Sequence, residues 1–474
     1  MRCQSRSLSP SLLLVAGAAA LLASLALPAA GQAIALNCLV PAGNTVAASQ
    51  TPLRFGIYPG GPAGSVNPKA PPRPENPAKR LAALQTLAGS NPFVVRLYSA
   101  WTGVASADDV GGWLDGEIAG YTAAGLQVEL VVRYMPVAPD AGSAPSAFAD
   151  HVRGIVRRYG PDSRFVSLQV SNEANIPGAP DAADGAFAGA AEAVVKGVIA
   201  AKDQARRDGR GQLRIGFSWA YDERPGASSD FWATLGRLGG RPFADAVDWV
   251  GLDTYPGTWA PQIPLSNLLP GHAAGAVKES VRSLRDCFMP LAGLGDATAV
   301  HIAENGFPTG PGRSEELQSQ ILDAMVRSVD ALRATYGVTD YRWFDLRDSS
   351  SADPSIESQY GITRDDYSPK PAFATYRDLV GRYGGGGAGA PVATAADCRP
   401  SPVKVSVPRW RSRRLTSLVV HVGNKVVKRV RRSRIPRSLR ISMRSGRSVV
   451  KLKLTAQAHG RRLTRVERRA YRVC

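Results

Sequence analysis

Phe93-Val94-Val95-Arg96-Leu97-Tyr98-Ser99-Ala100 is followed by an Ala-rich stretch, Ala107–Ala124, and then by Gln127-Val128-Glu129-Leu130-Val131-Val132-Arg133-Tyr134. The two outer segments are short, apolar and rich in β-formers, whereas the middle one is longer and helically spaced, so the unit reads strand, helix, strand. The same alternation continues outward in both directions. Further strand candidates are Leu53–Tyr58, Val166–Ser171, Arg214–Trp219, Trp249–Tyr255, Ala299–Glu304 and Asp340–Asp345. Helical stretches include Asn76–Ala88, Asp184–Arg207, Ala276–Ala292, Ser314–Tyr336 and Pro371–Arg382.

Repeated strand–helix units with right-handed crossovers leave two solutions, an open doubly wound sheet or a closed eight-stranded barrel. Eight repeats in about 330 residues suit the barrel. A dinucleotide fold would place G-x-G-x-x-G after its first strand, and Gly56-x-x-x-Gly60-Gly61 does not supply it. The expected fold is therefore α/β, a (β/α)8 barrel over residues 51–383.

The two ends of the chain are different in kind. Arg2 and Arg6 precede the apolar run Leu12–Leu27, and Gly31-Gln32-Ala33 supplies small residues for cleavage, so residues 1–33 read as a secretory signal, followed by an extension over 34–50. Four cysteines remain after the leader, an even number suited to an oxidising compartment, and Cys38–Cys287 with Cys398–Cys474 is the favoured pairing. A Gly/Ala-rich linker spans 384–397. Beyond it, residues 398–474 alternate apolar and basic residues, as a small all-β module does. That module holds 24 Lys and Arg against the single acid Glu467, a net +23 in a chain of +19, so residues 1–397 carry −4. Such a surface suits a polyanion, and export favours cell-wall or acidic polysaccharide over nucleic acid, for which no motif is present. A metal or cofactor is not expected: there are five His, and no C-x-x-C, H-x-x-x-H or H-E-x-x-H. The mature protein is expected to be a secreted monomer.

On such a barrel, chemistry belongs at the C-terminal ends of the strands. Ser171-Asn172-Glu173-Ala174-Asn175 ends the fourth strand, and His301-Ile302-Ala303-Glu304-Asn305-Gly306 ends the seventh. Two carboxylates facing each other suffice to cleave a glycosidic bond: one protonates the leaving oxygen, the other attacks the sugar carbon. About 5–5.5 Å between them would indicate retention of configuration, and about 6.5–9.5 Å inversion.

Asn172-Glu173 after strand four, with Glu304 after strand seven, resembles clan A glycoside hydrolases, the cellulase, mannanase and xylosidase superfamily of retaining (β/α)8 enzymes. Arg342-Trp343-Phe344-Asp345, Gln359-Tyr360-Gly361-Ile362 and Pro369-Lys370-Pro371-Ala372 resemble the ending common in that group, and the likeness covers about 70% of the chain. It implies Glu173 as acid/base, Glu304 as nucleophile and Asn172 at the substrate 2-hydroxyl. It further implies Arg96 and Tyr255 as partners of the nucleophile and Trp343 as a sugar-stacking aromatic. Arg133-Tyr134 stands where many relatives place His.

Tyr134 and Trp219 are added as substrate-binding candidates. Trp101, Trp219 and Trp259 all follow or end strands, where they either stack on sugar or pack the core. Asp253 shares Tyr255's side of strand six and could reach substrate, although a structural hydrogen bond is the favoured reading, and His301 reads as a packed strand residue. The loop from Gly257 to Gly275 is expected to set specificity. The alternatives are a non-catalytic carbohydrate-binding barrel, which has no need of both glutamates, and a metal-dependent or Schiff-base barrel enzyme, for which His and a strand-end Lys are lacking.

Overall fold

The computed structural model describes residues 52–61, 70–103, 107–137, 142–385, 402–407, 415–422, 425–431, 435–442, 446–458 and 461–473. The leader, the N-terminal extension, most of the linker and Cys38, Cys398 and Cys474 lie outside them. Of the expected disulfide partners only Cys287 is described, and it is buried.

Eight parallel strands close on themselves in chain order: β1 (Arg54–Ile57), β2 (Phe93–Trp101), β3 (Gln127–Tyr134), β4 (Phe165–Val170), β5 (Arg214–Ala220), β6 (Trp249–Thr254), β7 (Ala299–Asn305) and β8 (Val338–Trp343), with β8 pairing back to β1. Each strand falls within two residues of its expected span. Helices α1 (Pro77–Ala88), α2 (Ala107–Ala123), α3 (Ala144–Tyr159), α4 (Ala190–Arg207), α5 (Pro225–Ala244), α6 (Pro270–Ser283), α7 (Glu315–Tyr336) and α8 (Pro371–Tyr383) connect and follow them. Two helical spans differ from expectation. Asp184 belongs to a separate single turn ahead of α4, because its carboxylate is drawn into the β3–β4 ends by Arg133 and the Tyr134 and Asn172 amides. The stretch after β6 begins six residues earlier, where Pro270 starts α6.

Local chemistry sets the helix ends. Ser314 caps α7 by accepting from the Leu317 amide at 3.1 Å, Glu315 and Glu316 occupy the first turn, and Gly337 closes it at φ 65°. On α3, Phe148, Val152, Ile155, Val156 and Tyr159 recur at helical spacing and are buried, and Phe148 meets the rings of Trp101 and Tyr134. Phe148→Ala would cost about 3–5 kcal/mol by emptying that contact.

The space enclosed by the strands is polar. Val95 and Leu97 of β2 pack into the apolar cluster around the barrel, while Arg96 between them joins an interior ion network. That network runs Arg54–Asp340 (2.8 Å), Asp340–Arg342 (2.8 Å), Arg342–Glu129 (3.2 Å), Glu129–Arg96 (2.9 Å) and Arg96–Glu304 (3.2 Å). Gly56 leaves room for it: a Cβ there would stand 2.7 Å from Cδ of Arg342 and 2.3 Å from the Val94 carbonyl.

The C-terminal residues form a four-stranded antiparallel sheet in the order β11 (Lys425–Val430), β10 (Leu415–Val422), β13 (Gly446–Ala458), β14 (Arg461–Val473), and a two-stranded sheet of β9 (Val403–Ser406) and β12 (Ser438–Ile441). Val405, Ile441, Leu418, Val420, Val450, Leu452 and Leu454 make one core from both sheets. Lys425, Lys428, Arg429, Arg440, Lys453 and Arg465 are exposed. The long strand β14 is additional to the sequence expectation. Among the described residues no helix is long and apolar enough to cross a membrane.

Candidate active site

The cleft at the C-terminal ends of the strands encloses about 740 Å³ and is lined by Asn172, Glu173, Asp253, Tyr255 and Glu304 among others. Glu304 reaches it through a bulge. β6 and β7 pair Leu252 with Ile302 but Asp253 with Glu304, so Ala303 is an extra residue on β7. Ala303 faces Gly251 inside the barrel, and the bulge turns its neighbour inward as well.

Three donors converge on the Glu304 carboxylate. Tyr98 Oη donates to Oε1 at 2.5 Å, Arg96 Nη2 donates to Oε1 at 3.2 Å, and Tyr255 Oη donates to Oε2 at 2.7 Å. The partners expected from the resemblance, Arg96 and Tyr255, are thus both in contact. Tyr98 is additional, and it lies two residues beyond Arg96 on the same strand face.

Glu173 sits at the end of β4 with Ser171 and itself in left-handed backbone, φ 68° and 46°. That conformation is held by the Glu173 amide donating to Ser218 Oγ (3.1 Å) and the Asn172 amide to Asp184 Oδ2 (2.7 Å). Asn172 lines the cleft, its Nδ2 donating to the Ala182 carbonyl at 3.0 Å and its Oδ1 accepting from Gln169 at 3.2 Å. Burial, then the charges of Glu304 and Asp253, push the Glu173 carboxyl well above the ordinary range. One oxygen each of Glu173, Asp253 and Glu304 lies within 4.8 Å of the others. Among the described residues this is the one cluster able to hold a cation, though the three donors on Glu304 compete for the oxygens a metal would use.

Three expected contacts are corrected. Trp343 is fully buried on the face of β8 opposite Arg342, and the aromatic that lines the cleft there is Phe344. Tyr134 is buried among Trp101 and Phe148, its hydroxyl donating to the Ala188 carbonyl at 2.9 Å. Trp219 packs against Trp232 and Phe288 beneath the helices. In each case the side chain lies on the outward face of its strand. Trp101 is core as well, whereas Trp259 lines the cleft and is 45% exposed. His301 is packed, stacked on Trp249 with Nε2 3.1 Å from Asp340. The loop after β6 contributes Trp259, Ala260 and Gln262 to the cleft.

No known family pattern and no curated protein matches this sequence. Among solved structures the chain is similar to GH5_18 from Streptomyces cattleya in complex with GlcNAc, at 17% identity and a TM-score of 0.49, covering 75% of this chain and 84% of that one. It is also similar to GH5_18 from Bifidobacterium longum subsp. longum, at 12% identity and a TM-score of 0.49, covering 74% and 82%. A third match is a family 39 glycoside hydrolase from the gut symbiont Bacteroides cellulosilyticus, at 14% identity and a TM-score of 0.45, covering 83% and 79%.

Proposed function

We propose that this chain is a secreted retaining glycoside hydrolase acting on β-linked oligo- or polysaccharide. The observation that carries the reading is the pair Glu173 and Glu304, facing each other with oxygens within 4.8 Å and in opposite electrostatic settings. Glu304 is gripped by two tyrosines and an arginine and is held in line for attack on the sugar carbon. Glu173 makes no ion pair among the described residues, and Arg133 acts on it only weakly against burial and the neighbouring carboxylates. It is pushed toward its protonated form, as a group that delivers a proton to the leaving oxygen must be. After the first step the sugar is joined to Glu304. Glu173, now a base, takes a proton from the water that releases it. Nearest oxygens this close support retention over inversion.

Asn172, from the cleft wall beside Glu173, contacts the sugar hydroxyl next to the reacting carbon. Phe344 and Trp259 offer apolar faces to sugar rings. The leader at 1–33 and the even set of four cysteines support export with Cys38–Cys287 and Cys398–Cys474 disulfides. Residues 398–474 hold the enzyme on an anionic wall polymer or acidic polysaccharide.

The test is sugar release from a panel of β-linked oligosaccharides and polysaccharides, with product stereochemistry followed by NMR. Retention, with activity lost in both Glu173→Ala and Glu304→Ala, supports the assignment. Inversion, or activity surviving Glu304→Ala, overturns it.

A further inference from the structure

The ion network inside the barrel balances without Asp253. Arg54, Arg96 and Arg342 stand against Asp340, Glu129 and Glu304, while Arg214 reaches only to 3.9 Å of Asp340 and remains partly exposed. No cation is left for Asp253. Its residue is 2% exposed, it lines the cleft beside Glu173 and Glu304, and the Ser218 hydroxyl is set against its carboxyl, but among the described residues neither oxygen makes a hydrogen bond of good geometry. A buried polar group without a partner costs about 1–3 kcal/mol, so its retention at this spot asks for a partner that arrives from outside. Burial and the Glu304 charge push its carboxyl well up, and Arg96 and the Ser218 hydroxyl only partly offset this.

The surroundings limit what that partner is. The cleft lining holds seven carboxylates and two arginines. Both arginines are already ion-paired, Arg133 with Asp184 at 2.9 Å and Arg224 with Asp222 at 2.8 Å. An incoming carboxylate would meet like charge with no free cation to receive it.

We propose that Asp253 is a substrate-binding residue that receives a hydrogen-bond-donating substituent, hydroxyl or ammonium, of the sugar beside Glu173 and Glu304, and that the cleft takes neutral or amino sugars and rejects uronates. This rests on the glycosidase reading. It takes the second of the two sequence readings of Asp253, substrate contact over a structural hydrogen bond, because the structure gives the carboxyl only the Ser218 hydroxyl.

The experiment uses the full chain and three 4-nitrophenyl probes of one ring configuration: the β-glucoside, the 2-amino-2-deoxy-β-glucoside and the β-glucuronide. Expected is a kcat/KM at least 100-fold lower for the glucuronide than for the better of the other two. Asp253→Asn, which keeps shape and removes charge, and Asp253→Ser, which removes reach, should each lower kcat/KM at least 10-fold on the preferred probe, mainly through KM, with circular dichroism unchanged. A loss confined to the amino sugar assigns the partner as ammonium; an equal loss on the glucoside assigns it as hydroxyl. Full activity in both variants, or a glucuronide cleaved as well as the others, overturns the proposal while leaving the glycosidase reading in place. Cleavage of no probe and no oligosaccharide overturns both.

Discussion

Arg96→Met is the sharpest test of how the interior network supports Glu304. Arg96 is fully buried, and its guanidinium makes three contacts: Nη1 to Glu129 at 2.9 Å, Nη2 to Glu304 at 3.2 Å and Nε to Tyr98 Oη at 2.8 Å. Methionine keeps most of the stem and none of the charge. Removing one partner of a buried ion pair costs about 3–5 kcal/mol, because the other charge stays buried. Here both carboxylates keep other help: Glu129 retains Arg342 at 3.2 Å, and Glu304 retains Tyr98 and Tyr255 at 2.5 and 2.7 Å. The expected loss is therefore at the low end, about 3 kcal/mol. A domain of ordinary stability, about 5–15 kcal/mol, survives that and can be measured. Urea unfolding followed by circular dichroism gives the number. The double variant Arg96→Met/Glu129→Gln removes one charge of each sign, leaving Arg342 to Asp340 and Glu304 to its tyrosines. It should be no less stable than Arg96→Met alone, which is strong non-additivity. A cost below about 1 kcal/mol for Arg96→Met, or simple addition of the two losses, would refute the ion-pair reasoning.

Asp253→Asn should change the pH dependence of stability. A carboxyl raised on folding binds its proton more tightly in the fold, so wild type loses stability as pH climbs from the unfolded carboxylate range toward the raised value. The variant escapes that loss, and its melting temperature should gain on wild type at pH 8 relative to pH 4; an identical difference at both would count against it. Trp259→Ala, at an exposed cleft position, should raise KM for oligosaccharides several-fold while shifting unfolding by no more than about 0.5 kcal/mol. Deleting residues 398–474 should abolish salt-sensitive retention on isolated cell walls without changing kcat on a soluble substrate; unchanged retention would remove the tether.

The barrel was legible because its signal repeats: each short β-rich run is followed by a longer helical one, and eight agreeing units leave little freedom. That Glu173 and Glu304 share one cleft was legible for a related reason, since both end strands. Which aromatics face the cleft was not, because proximity to a strand end is a weaker rule than the period of two along the strand. On β8 the inward positions are Asp340, Arg342 and then Phe344, which leaves Trp343 outside; on β5 Ser218 faces inward, which leaves Trp219 outside. The same parity from Arg96 would have found Tyr98, as from Tyr255 it puts Asp253 on the cleft side of β6. Parity alone would still have failed at Glu304, because the extra residue Ala303 is visible only in the register with β6.

The left-handed non-glycine residues and the clustered carboxyls lie at one end of the barrel, and their placement is itself an argument about function. At the N-terminal end Asp340 is met by Arg54, Arg342 and His301, all within 3.1 Å, so that its charge is matched. At the C-terminal end stand the bulge at Ala303, the left-handed Ser171 and Glu173, and two carboxyls without a cation. Non-glycine residues in that backbone region cost about 1–3 kcal/mol each and persist only where the surroundings hold them. Here the holding groups are Ser218 and Asp184, which accept the Glu173 and Asn172 amides. A fold selected for stability alone would relax Ser171 and Glu173 to glycine or to ordinary turns, and would fill the site of Asp253 with an aliphatic residue. Strain and unpaired charge kept together, within one cleft and beside a fully satisfied Glu304, are what a site that binds and cleaves a polar substrate requires.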